Sequence, residues 1–103
     1  MANILTDEQV KKALYLDDDA DTEELEEYNM TASSFILQKT GYDFGAEAAK
    51  EPLAVLCAKL YIKQIYFGNS GYNKEHDYTL GIASLLVDLQ IIANARLAGE
   101  SNE

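Results

Sequence analysis

Pro52-Leu53-Ala54-Val55-Leu56-Cys57-Ala58-Lys59-Leu60-Tyr61-Ile62-Lys63-Gln64-Ile65-Tyr66-Phe67 decides the fold of this 103-residue chain. Between Leu53 and Phe67 the polar positions are only Lys59, Lys63 and Gln64. A helix that is apolar around most of its circumference has to be buried on several sides. Pro52, the single proline, suits the first turn of that helix, where its missing N–H leaves no bond unmade. Cover for such a helix must come from other elements, and the flanking sequence reads as helices too.

Upstream, Thr6-Asp7-Glu8-Gln9 has the spacing of a capping box, with Asp7 and Glu8 at the positive end of the helix dipole. Val10, Ala13 and Leu14 form the apolar face of a short first helix that should stop near Tyr15-Leu16. Asp17 to Asp21 then reads as a turn, with Asp21 or Thr22 capping a second helix. In that helix Leu25, Tyr28, Ala32, Phe35, Ile36 and Lys39 follow three- and four-residue spacing, and Gly41 after Thr40 is a natural left-handed cap. Tyr42-Asp43-Phe44-Gly45 is a loop whose aromatics are expected to pin it to the core.

Downstream, Gly68-Asn69-Ser70-Gly71-Tyr72-Asn73 breaks the third helix, and a linker runs to Tyr78. A fourth helix is expected from Thr79 to Ala98, with Gly99 just past its end. It too is widely apolar: Leu80, Ile82, Ala83, Leu85, Leu86, Leu89, Ile91, Ile92 and Leu97. The fold class is therefore all-α, a small bundle of four principal helices with a loop between the third and fourth. Residues 1–103 form one domain, with loose ends at 1–5 and 99–103. Helices three and four carry more apolar surface than two short partners can cover, which favours self-association.

Eighteen acids stand against eight bases, a formal net charge of −10. Residues 1–30 alone hold a net of −8, from Asp7, Glu8, Asp17, Asp18, Asp19, Asp21, Glu23, Glu24, Glu26 and Glu27 against Lys11 and Lys12. This balance argues against a protein that grips phosphate backbones or anionic membranes. An acidic run is most simply a solvated face, and its functional reading is a surface offered to a basic partner or one that repels nucleic acid. The opening Met1 to Thr6 lacks the pattern of a signal peptide. The richest apolar window, Leu80 to Leu97, is interrupted by Asp88, Asn94 and Arg96, so no membrane span is expected. One cysteine, Cys57, forms no internal disulfide and fits a reducing compartment.

Chemistry is sparse. Asp17, Asp19 and Asp21 match the first ligand positions of a calcium loop, but Thr22 stands where glycine is required and Tyr28 where a bidentate acid is required. His76 sits without metal-ligating company, and Cys57 among Leu56, Ala58 and Leu60 reads as a small core residue. Gly68-Asn69-Ser70-Gly71 follows a helix, which is the wrong context for a phosphate loop. Seven tyrosines without interleaved bases suit half-buried seams better than base stacking. No catalytic set can be assembled, and neither a cofactor nor a metal is expected.

Ile4-Leu5-Thr6-Asp7-Glu8-Gln9-Val10-Lys11-Lys12-Ala13-Leu14, then Leu16-Asp17-Asp18-Asp19-Ala20-Asp21, resembles the opening of phage head–tail connector proteins, the small DNA-packaging adaptors of long-tailed bacteriophages. Thr40-Gly41 stands where their second helix ends, Pro52-Leu53 through Leu60-Tyr61 is similar to their proline-started third helix, and Ile82-Ala83-Ser84-Leu85-Leu86-Val87-Asp88-Leu89 to their closing segment. The ordered set spans roughly residues 4–92. Family members often carry arginines in or after the last helix, where this chain has only Arg96.

The resemblance implies a non-enzymatic virion protein at the capsid–tail junction, present in the host cytoplasm during assembly. It would form a cyclic homo-oligomer, dodecameric on the portal protein, extending the DNA channel and offering a surface to a downstream head-completion or tail protein. Leu56, Leu60, Tyr61, Ile65, Leu86, Leu89 and Ile92 are the expected subunit interface, and Arg96 with Leu97 the expected portal contact. Asp17, Asp18, Asp19, Asp21, Glu23, Glu24, Glu26 and Glu27 would face a partner or the channel, where like charge lets DNA pass without specific binding. The alternative is an acidic DNA-mimic inhibitor or adaptor that binds a basic protein; a small helical enzyme lacks any nominated pocket.

Overall fold

The computed structural model describes residues 3–17, 21–46, 51–68 and 78–101, and over these the chain is all-α. α1 is Asp7–Leu14, α2 Thr22–Thr40, α3 Pro52–Gly68 and α4 Thr79–Ser101. α2 and α3 lie side by side, α1 packs on both, and α4 packs on both without meeting α1. The result is a slab of 47 × 28 × 18 Å.

The helix ends follow local chemistry. The Thr6 hydroxyl accepts from the Gln9 backbone N–H at 3.1 Å, and the Gln9 side chain accepts from the Thr6 N–H at 2.8 Å, which completes the capping box. α1 closes with Tyr15 in the left-handed region (φ 57°), its N–H turned to Lys12 while Leu16 N–H reaches Lys11. Asp21 caps α2 through a 3.0 Å bond to the Glu23 N–H. Gly41 (φ 75°) ends α2 in a conformation that costs glycine little. The Glu51 carbonyl accepts from Ala54 and Val55, so α3 starts with Pro52 in its first turn. α4 runs past the expected stop at Ala98, because Gly99 keeps helical geometry and the helix continues to Ser101.

Val10, Leu14, Leu25, Ala32, Ile36, Phe44, Cys57, Ala58, Ile62, Leu89 and Ala93 form the core. Ile4 and Leu5, expected in a loose end, are buried instead. The Ile4 N–H donates to Ser33 Oγ at 2.9 Å, and the Leu5 N–H donates to Asn29 Oδ1 at 3.1 Å. Asn29 also donates through Nδ2 to the Leu5 carbonyl. The expected loop anchor is present: Phe44 is buried, with Tyr42 edge-on to it at 4.8 Å.

The stretch Thr79–Gly99 has a mean hydropathy of 1.4 and is, by length and composition alone, apolar enough to cross a membrane. Asp88, Asn94 and Arg96 interrupt it without lowering the average enough. In the bundle it lays Ile82, Leu89 and Ala93 inward, and Gln90 donates to the Thr40 carbonyl at 3.2 Å.

Candidate interaction surfaces

The N-terminal half of α2 is an acidic face. The buried stripe Leu25, Asn29, Ala32, Ser33 and Ile36 fixes the helix rotation, and every acid between its members is thereby turned to solvent. Asp17, Asp21, Glu23, Glu24, Glu26 and Glu27 are all exposed. Asp18 and Asp19, expected in the same acidic turn, lie outside the described residues. Burial and the charges of Glu24 and Glu27 push the neighbouring Tyr28 phenol above its ordinary value. Met30, half exposed, lies on the same outer face.

Positive charge gathers elsewhere. Gln9, Lys12 and Ala13 of α1 and Lys59 and Lys63 of α3 line a groove of about 450 Å³. The Lys63 ammonium is held over the rings of Tyr15 and Tyr78 at 5.7 and 5.8 Å. Lys11 is engaged by Glu8 at 3.8 Å. Leu56 stands beside Lys59 on the outer face of α3 and is 46% exposed.

The residues expected at a subunit interface divide by depth. Leu56 is exposed, and Leu60, Tyr61, Ile65, Leu86 and Ile92 are half-buried. Leu89 is fully buried in the chain's own core and has no surface to offer. Tyr61 stacks on Phe35 at 4.2 Å and so helps to join α3 to α2. The apolar groups most available on α4 are Leu80, Val87 and Ile91, at 86%, 62% and 64% exposure. Val87 and Ile91, with Leu86, Gln90 and Lys39, line a shallow groove of about 380 Å³. Sequence reasoning passed over these three as interface residues because α4 is apolar on all sides. Its pattern carries no sign of which stripe turns inward.

Arg96 is engaged within the chain. Its guanidinium bonds Glu51 at 3.2 Å and lies 5.6 Å from the ring centres of both Tyr42 and Phe44. It thereby clamps the start of α3 and the aromatic loop to the end of α4. Leu97 beside it is exposed.

Among the described residues, the reactive side chains stand apart on these surfaces. Cys57 is buried, and burial pushes its thiol up to about 11, which keeps it protonated near neutral pH. Among the described residues no three His, Cys, Asp or Glu side chains are gathered as a metal ion requires. His76 lies outside the described residues. Comparison with protein-family models, with curated proteins and with solved structures finds no match.

Proposed function

We propose that this chain is a structural, ring-forming adaptor of the head–tail connector kind. In this reading it docks to a portal protein at a capsid vertex, extends the DNA channel and joins the head to the next completion protein or tail. The observation that carries the proposal is the apolar surface the four-helix slab leaves uncovered: Leu56 on α3 and Leu80, Val87 and Ile91 on α4. Surface of that kind on a small helical domain is suited to burial between proteins. The ordered resemblance of residues 4–92 supplies the kind of assembly.

The acidic turn has a place in the same reading. Asp17, Asp18, Asp19 and Asp21, repeated around a ring, flank a channel that DNA traverses without adhering. No enzymatic step, cofactor or membrane is part of the proposal. The protein works in the virion, and before that in the host cytoplasm while heads are completed.

Native mass spectrometry of the chain alone and with purified portal protein tests this. A closed ring, formed alone or on the portal, is the expected result. A monomer that ignores the portal overturns it and leaves the acidic inhibitor, which would bind a basic protein in a complex that weakens with salt. In assembled phage particles, lysine replacements at the four turn aspartates should impede DNA passage. Unchanged ejection and unchanged assembly would remove the channel role from these residues.

A further inference from the structure

The acidic and basic faces share one spacing. On α2, Glu23, Glu27 and Met30 follow one another at intervals of four and three residues along the outer face. On α3, read in the opposite direction, Lys63, Lys59 and Leu56 do the same. Each row covers eight residues, seven steps or about 10 Å of helix. Each presents two like charges followed by one exposed apolar side chain.

These rows do not meet within one copy. Tyr28 packs edge-on against Tyr66 at 5.7 Å and Phe35 stacks on Tyr61 at 4.2 Å, so α2 and α3 lie antiparallel with their outer faces turned away from each other. Among the described residues, Glu23, Glu27, Lys59 and Lys63 form no ion pair inside the chain.

We propose that α2 of one copy packs antiparallel on α3 of the next, with Glu23 facing Lys63, Glu27 facing Lys59 and Met30 against Leu56. The occupant of the lysine face is thus a second copy of this chain. This deepens the ring reading and rests on it. The two faces are unlike, so the contact is head-to-tail; it leaves a free face at each end and repeats until rotation closes it. Each α3, packed on α1, α2 and α4 of its own copy, would take the neighbour's α2 on the side that carries Leu56, beside the groove it shares with α1. Copies with a formal net charge of −10 repel at a distance. Local attraction between the rows therefore selects the orientation in which association can occur.

The test is sedimentation of the full chain over a range of concentrations, at low and at raised salt. The variants are Glu27→Lys, Lys59→Glu and the double swap, with helix content checked by circular dichroism. The expected result is assembly beyond two copies for the native chain, weakened by salt. Each single reversal sets like charges against each other and should weaken association about tenfold or more, and the double swap should restore it. Assembly that ignores both single reversals overturns this seam and leaves a ring built through another face. Failure of the double swap to recover overturns the pairing, and a species that stops at two copies overturns the head-to-tail arrangement. A native chain that stays monomeric at millimolar concentration and low salt overturns the seam, while the portal experiment still decides the connector reading.

Discussion

Asn29 occupies a position on the buried stripe of α2 where a leucine would keep the face apolar. Its amide instead serves both backbone groups of Leu5, while Ser33 one turn on serves the Ile4 N–H. Ile4 and Leu5 can be buried only because their polar backbone is satisfied there. Asn29→Ala leaves a buried donor and a buried acceptor unpaired and should lower stability by about 2–3 kcal/mol. Ser33→Ala, which strands one donor, should cost about 1–2 kcal/mol. Urea denaturation checks both. Equal, negligible losses would mean that water replaces these bonds and that the segment before α1 is not held by them. A signal for this pair was present in the sequence: positions 25, 29, 32, 33, 36 and 40 form one continuous helical stripe. Its three polar members, Asn29, Ser33 and Thr40, had to be bonded inside or break the face.

At the scale of elements, the glycines separate two kinds of helix end. Gly41 holds φ 75°, so a side chain there is strained even though nothing lies within 4 Å of its would-be Cβ. Gly99 continues the helix and also has open space around it. Gly41→Ala should therefore destabilise by about 1 kcal/mol, and Gly99→Ala should be neutral or stabilise by up to about 1 kcal/mol. Thermal melts of the two variants should move apart, and a common direction would contradict the assigned ends. These differences explain what the sequence could tell. The capping box, Asp21, Gly41 and Pro52 act over three or four residues, and the starts of α1, α2 and α3 and the end of α2 were legible from them. The end of α4 was not, because an exposed glycine can either stop a helix or ride its last turn. The acidic face of α2 was legible because charges that alternate with an apolar stripe have one side left to occupy. Arg96 was harder to place, since its partners Glu51, Tyr42 and Phe44 are distant in sequence and meet it only when α3 and α4 pack.

At the scale of the whole molecule, the question is which side of α4 belongs to the subunit. α4 is covered by α2 and α3 and not by α1, so one of its two apolar sides stays outside the bundle. Leu89 and Ile91 stand two residues apart, on different sides of the helix, with exposures of 0% and 64%. Leu89→Ala opens a cavity among packed side chains and should cost about 2–5 kcal/mol. Ile91→Gln exchanges one solvated side chain for another and should change stability by no more than about 0.5 kcal/mol. In the proposed assembly the order reverses for binding. Ile91→Gln removes apolar surface that a neighbouring protein covers and should weaken portal association, whereas Leu89→Ala acts on association only through the folded fraction. Denaturant titration and portal co-sedimentation, run on both variants, separate the two effects. If Ile91→Gln is as damaging to folding as Leu89→Ala, α4 is rotated relative to this structure and the uncovered face lies elsewhere. If it alters neither folding nor portal association, the outer side of α4 is not where the chain meets a partner in the proposed assembly, and the load falls on Leu56 and the charged rows of α2 and α3.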